Sequence, residues 1–241
     1  MVKKILLFLS LFVLIYNVNA QELLPKSGGT IYKKTYYTIS YNEKNEQANW
    51  VYYYLSPKMI KGKAKRSNRF KADKMISTNS ASLKDYKASG YDRGHLCPAA
   101  AMRLNGVSMK ESFLMSNMSP QKPGFNRGLW KRLEAQVRKW VLKNGNLYVV
   151  SGPIFKDCLG SIGDNKVTIP GYYYKVIYSK KNSKMIAFVM PNKKIKGPLS
   201  KYVVSVNDVE KLTGIDFFYV LEDNKEERLE SQVLVNKWIW K

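Results

Sequence analysis

The sequence predicts an α+β fold, rich in antiparallel strand, with one long helix at its centre. Three stretches carry this expectation. Residues 50–55 (Trp-Val-Tyr-Tyr-Tyr-Leu) are aromatic and β-branched and stop at Ser56-Pro57, a strand with its terminator. Residues 172–178 and 185–190 are built largely from Tyr, Val, Ile, Phe and Met around the polar span 179–184, which reads as a hairpin. Residues 127–143 instead repeat apolar side chains at intervals of three and four. Trp130, Leu133, Val137, Trp140 and Val141 fall on one stripe of a helix. A chain of this pattern folds as a central antiparallel β-sheet with flanking helices.

The elements follow in order. Met1-Val2-Lys3-Lys4 is followed by an apolar run of about a dozen residues and then Val18-Asn19-Ala20, the layout of a secretory signal peptide. That run falls short of the roughly 20 apolar residues that span a bilayer. Residues 1–20 are therefore expected to be removed on export, leaving a periplasmic or secreted protein with no stable membrane insertion. Residues 21–49 are expected to form a mobile lead-in, because their first part is polar and contains glycine. Residues 50–241 are expected to form a single domain. After the strand at 50–55 comes a basic, loop-like stretch at 58–74 that holds Arg66, Arg69, Phe70 and Asp73. Residues 83–94 contain Ser89-Gly90 and lead into Tyr91-Asp92-Arg93-Gly94-His95. The helix at 127–143 stops at Asn144-Gly145, where glycine readily takes the left-handed conformation that closes a helix. Residues 147–151, before Gly152-Pro153, read as a buried strand. Residues 202–212 hold a further strand and the start of a short helix, and 224–230 a charged, solvated helical turn.

The bulk composition narrows the partners. The 241 residues carry a formal net charge of +23, and losing residues 1–20 removes only Lys3 and Lys4 from that balance. A surface this basic attracts polyanions, nucleic acid above all, and its binding should weaken as salt rises. Cys97 and Cys158 are the two cysteines of a chain that leaves the reducing cytoplasm, and an even count there favours a disulfide between them. Cys97 lies two residues past His95, so such a bridge would tether that loop. One histidine and two cysteines fall short of the four nitrogen or sulfur ligands of a structural zinc site. A metal in this chain is expected to be a hard cation held by oxygen.

His95 is the single histidine, hence the one side chain that takes a proton near neutral pH without a large pKa shift. It stands two residues from Arg93, whose guanidinium suits phosphate oxygens. Phosphodiester hydrolysis needs a base for water, cations for the phosphoryl oxygens and stabilisation of the leaving alkoxide. Asn126, at the mouth of the long helix, offers a carbonyl oxygen for Mg²⁺, and Glu134 follows two turns on. The chain contains no Gly-x-Ser-x-Gly elbow and no Gly-x4-Gly-Lys-Ser/Thr loop, which sets aside serine hydrolases and P-loop enzymes by motif.

Asp92-Arg93-Gly94-His95, then Ser116-Asn117-Met118-Ser119-Pro120-Gln121, then residues 125–134 (Phe-Asn-Arg-Gly-Leu-Trp-Lys-Arg-Leu-Glu) together resemble the DNA/RNA non-specific endonucleases with a ββα-metal, or His-Me, finger. Residues 66–73 resemble that family's upstream arginine segment, and Gly152-Pro153-Ile154-Phe155 its following strand and turn. The likeness covers most of residues 50–220. It implies a ββα-metal finger nuclease that hydrolyses DNA and RNA to 5′-phosphate ends through backbone contacts. It implies His95 as general base, Asn126 as the direct Mg²⁺ ligand with Mn²⁺ as the alternative ion, and Glu134 as the group that orients the cation's water. Arg93, Arg66 and Arg138 would contact phosphate, with Arg69 a competing choice for Arg66. Asp92 and Asn117 would support the site. The rival expectation is an exported nucleic-acid-binding protein that has lost its catalysis. The sequence leaves oligomeric state open.

Overall fold

The computed structural model describes residues 23–26, 28–78 and 80–240, so the expected signal peptide lies outside the described residues. Eleven strands are present among them: β1 (Thr30–Lys33), β2 (Tyr37–Asn42), β3 (Gln47–Leu55), β4 (Asp92–His95), β5 (Met118–Gln121), β6 (Leu147–Ile154), β7 (Ser161–Ile162), β8 (Val167–Thr168), β9 (Tyr172–Ser179), β10 (Lys184–Pro191) and β11 (Val203–Val204). Seven form one antiparallel sheet in the order β1-β2-β3-β6-β9-β10-β11, while β4 pairs with β5 and β7 with β8. The expected hairpin is β9–β10, in register from Tyr172 opposite Pro191 to Ser179 opposite Lys184.

The central strands read as near-continuous apolar runs because both faces of the sheet are covered. On one face Val51, Tyr53, Val149, Tyr173 and Ile177 pack under Trp130, Leu133, Val137 and Trp140 of the long helix. On the other, Trp50, Val150, Tyr174 and Val176 pack under Val206 and Val209 of the helix Val206–Thr213 and under Phe217 and Phe218.

The lead-in expected over residues 21–49 is part of the domain. Tyr37, Ile39 and Tyr41 alternate along β2 and are buried, a period-two pattern masked by the polar residues between them. Leu23 joins the second core, and Lys26 and Asp216 exchange backbone hydrogen bonds of 2.8 and 3.0 Å. The solvated turn expected at 224–230 is a helix, Asp223–Glu230, that buries Leu229 and Glu230. Among the described residues no helix is long and apolar enough to cross a membrane.

The long helix starts later than its apolar stripe suggests. A short turn, Pro123–Phe125, passes into a widened turn at Asn126–Trp130, where Gly128 leaves helical geometry (φ −98°, ψ −114°), and regular helix runs over Lys131–Asn144. Gly145 ends it at φ 83°. The chain terminus grips the far side of this helix. Trp238 and Trp240 pack on Trp140 at ring-centroid distances of 4.7 and 5.2 Å, and the Ile239 carbonyl accepts bonds from Gln136 and Trp140.

Candidate active site

The strand pair β4–β5 and the helix that follows it form a ββα unit seated on the main sheet. Its hold on the sheet is polar and buried. Ser119 of β5 bonds Gln47 of β3 and Tyr173 of β9, and the Tyr173 hydroxyl also donates to the Pro120 carbonyl at 2.9 Å. Asn192 donates to the carbonyls of Pro120 and Pro170 and accepts from the Lys122 amide, fixing the turn into the helix. Fully bonded buried groups of this kind select one geometry.

His95 closes β4. Gly94 beside it has no room for a side chain, since a Cβ there would meet the Gln121 side chain at 2.2 Å. The loop after His95 is stapled by Asn117, whose Oδ1 accepts from the Cys97 amide at 2.8 Å. Its Nδ2 donates to the carbonyls of Cys97 and Ser112, both at 2.9 Å. The supporting role expected of Asn117 is thus visible as three bonds. The imidazole ring packs against Phe113 and Phe70, with centroids 4.9 and 5.7 Å away. His95 is 9% exposed, and its Nε2 is buried without a hydrogen-bond partner. Burial first, then the charges of Arg66 and Arg93, pull its pKa down to about 3, so the free ring is neutral.

One cavity of about 500 Å³ collects the expected residues: Arg66, Arg93, His95, Asn126, Glu134 and Arg138 all line it. The Arg93 guanidinium lies over Phe70 at 4.4 Å and that of Arg66 over Phe113 at 5.0 Å. Arg93 Nε and Arg138 Nη1 are, like His95 Nε2, buried and unbonded. Buried polar atoms are normally paired, so three orphaned nitrogens at one cavity mark a place for an anionic ligand. Between the two upstream arginines the geometry chooses. Arg66 reaches this cavity, whereas Arg69 lines only an adjacent groove with Lys65, Lys71 and Lys110. Asp73 anchors that arginine segment by accepting from Ser116 at 2.6 Å and pairing with Lys34.

Asp92 does more than brace β4. Its carboxylate takes a forked pair from Arg127, at 2.8 and 2.6 Å, and a 2.8 Å bond from Asn126 Nδ2. Asn126 is therefore not a helix N-cap, because its amide nitrogen is committed to Asp92 and its carbonyl oxygen is not consumed by the backbone. Glu134 has no hydrogen-bonded or ion-paired partner among the described residues, and burial raises its pKa against the pull of Lys175, Arg138, Arg66 and Lys131. No group of three or more His, Cys, Asp or Glu side chains among the described residues stands ready to cage a metal. An amide oxygen beside a carboxylate fits a hard cation that takes its other ligands from water and substrate.

Three residues that build the site carry no motif. Tyr173 and Asn192 look like ordinary strand and loop residues, and Lys175 sits in a run of tyrosines. Only its position in the middle of an apolar strand sets Lys175 apart. The disulfide expected between Cys97 and Cys158 is absent. Cys97 is buried in the core beneath the His95 loop, while Cys158 is exposed on the turn after β6, its Sγ donating to the Phe155 carbonyl at 3.0 Å. Asn117 performs the tethering assigned to that bridge. A thiol reductant is accordingly expected to leave Tm unchanged; a reductant-dependent fall in calorimetry would reinstate the bond.

A ββα unit that turns a neutral imidazole, an asparagine amide and several arginines into one cleft defines a ββα-metal nuclease. The chain belongs to the DNA/RNA non-specific endonuclease family, whose sequence model matches residues 17–224. It is 35% identical over 227 residues to Nuclease C1 of Cunninghamella echinulata var. echinulata, covering 85% of this chain and 90% of that protein. It is 34% identical over 214 residues to a nuclease of Nostoc sp., covering 83% and 77%. Among solved structures, the EndoG/EndoGI complex matches with a TM-score of 0.78 at 32% identity, over 83% of this chain and 89% of that one. The protein is thus a nuclease, an endonuclease of the kind that acts on DNA and RNA without sequence specificity.

Proposed function

We propose that the protein is an exported, Mg²⁺-dependent endonuclease that hydrolyses the phosphodiester bonds of DNA and RNA to 5′-phosphate ends, with His95 as the general base. The observation that carries this reading is the orphaned, neutral His95 Nε2 facing the same cavity as Arg66, Arg93, Arg138 and Asn126. A neutral imidazole accepts a proton from water as the water attacks phosphorus. Arg66, Arg93 and Arg138 hold the phosphoryl oxygens by charge-assisted bonds and gain as negative charge grows there. A divalent cation at Asn126 Oδ1, Mg²⁺ or in its place Mn²⁺, would add charge at the phosphate and the departing 3′ oxygen. Asp92 keeps the Asn126 oxygen turned outward by holding its amide nitrogen, and Glu134 orients water beside it.

Arg66 also lines the neighbouring groove with Lys63, Lys65 and Arg103, which gives the flanking strand a cationic track. Phosphate contacts carry affinity without base identity, which suits an enzyme indifferent to sequence and sugar. Export rests on residues 1–20, with the periplasm or the medium as destination.

The deciding experiment incubates the mature chain with plasmid DNA and with RNA, with Mg²⁺ or with EDTA. Cleavage of both substrates, lost on chelation and leaving 5′-phosphates, is expected. Retention of DNA without cutting would support the nucleic-acid-binding alternative instead.

A further inference from the structure

Lys175 is the charged group that the chemistry above leaves unused. It stands in the middle of β9, opposite Ser151 of β6, and has no solvent exposure. Its neighbours two residues away, Tyr173 and Ile177, belong to the core under the long helix, whereas Tyr174 and Val176 belong to the opposite core. An aliphatic side chain would fill this position with no electrostatic cost, while an ammonium taken out of water is costly unless its surroundings compensate. Lys175 Nζ donates to Tyr53 Oη at 3.0 Å and to Ser151 Oγ at 2.9 Å, and lies 4.6 Å from the centroid of Trp130. No salt bridge joins it to a carboxylate among the described residues. Glu134 follows Trp130 by one helical turn, hence on the same side of the helix.

We propose that Lys175 is a buried positioning residue of the active site, a fixed positive charge beneath the cavity that keeps the Glu134 carboxylate ionised for its work beside Asn126. The inference rests on the role given above to Glu134. Burial alone drives that carboxyl toward its neutral form, and Lys175 is the strongest of the cations opposing it, ahead of Arg138, Arg66 and Lys131. The difference between them is access. Arg66, Lys131 and Arg138 line the cavity, where an entering phosphate spends part of their charge. Lys175 is walled off and keeps its field on Glu134 throughout turnover. The effect is mutual: burial depresses the Lys175 ammonium to about 8, and Glu134, then Cys97, work against that fall. The Cys97 thiol is held neutral by its own burial.

The test is a titration of metal-free protein followed by ¹³C NMR of the glutamate carboxyls, the Glu134 signal being identified by its loss in Glu134→Gln. Lys175→Met is expected to raise the Glu134 midpoint by about one unit or more, a tenfold change in proton affinity. Lys175→Arg is expected to hold it near the wild-type value. The acid limb of kcat/KM on plasmid with Mg²⁺ should move upward in Lys175→Met by the same amount. An unmoved Glu134 midpoint in that variant overturns the proposal. Should Lys175→Met fail to fold, the reciprocal measurement decides. In Glu134→Gln the Lys175 ammonium, followed by its ¹³Cε shift, is expected to titrate below its wild-type value, and an unchanged midpoint rejects the coupling. Both titrations are read without cleavage, so they can fail while the plasmid assay upholds the nuclease reading, and the reverse.

Discussion

His95→Ala is expected to lower plasmid cleavage at saturating Mg²⁺ by at least a hundredfold, because a positioned general base typically contributes on the order of 10²–10⁴ in rate. The chain has no second histidine to take over the task. DNA retention measured in EDTA should keep its wild-type affinity and salt slope, since both come from Lys and Arg contacts to phosphate. Wild-type turnover in the variant would dismiss His95 as the base.

The same residue sets a pH signature. The His95 ring is expected to titrate near 3 in the free protein, against about 6.5 for an unperturbed histidine. Its proton NMR signal needs no assignment because no other imidazole is present. Between those two values the unfolded chain binds the proton and the folded one does not. The contribution of His95 to stability is therefore complete above about 6.5 and is lost as pH falls toward 3. The acid limb of kcat/KM consequently belongs to another group of the free enzyme, and Glu134, raised by burial, is the candidate in the cavity. A midpoint near 6.5 for the ring would mean that the pocket is wetter than its geometry states.

Asn126→Ala is expected to move the Mg²⁺ activation curve to higher concentration by about 10–100-fold or more, the scale at which even outer partners of metal ligands act. The loss should be partly recoverable by added cation, which separates it from His95→Ala. Mg²⁺-dependent stabilisation in thermal melts should weaken in parallel, an effect that needs no turnover. Asp92 is left with its Arg127 fork in this variant, so the β4-to-helix tie survives. An unchanged metal titration would move the ligand away from Asn126.

The chemistry of this site was readable because it is written in short runs. Four residues give β4 and its terminal base, and residues 126–138 deliver the amide, the carboxylate and one arginine from a single turn-and-helix segment. The helix period could be seen because one face is core and the other is not. Its true start was hidden, since the stripe includes Trp130 while the backbone there still follows the widened turn at Gly128. β2 was missed for the opposite reason: its alternation is short and lies in polar surroundings. The disulfide was argued from compartment and count, which say nothing about distance, and Asn117 had already filled that role. Lys175, Tyr173 and Asn192 could not be found from spacing at all. They act through a sheet whose strand order places β3, β6 and β9 side by side, although residues 53, 151 and 175 are far apart in the chain.

That dependence on distant strands limits how the catalytic segment can be moved. A fragment ending at Asn144 would retain every side chain that lines the cavity, yet it would lack the Tyr173 hydroxyl, the Asn192 amide and the Trp238–Trp240 clasp. Grafting residues 90–140 onto another scaffold would transplant the recipe without the bench it is assembled on. Miniaturised versions of this enzyme must therefore be shortened at the outer loops, with β9, β10 and the final tryptophans left in place.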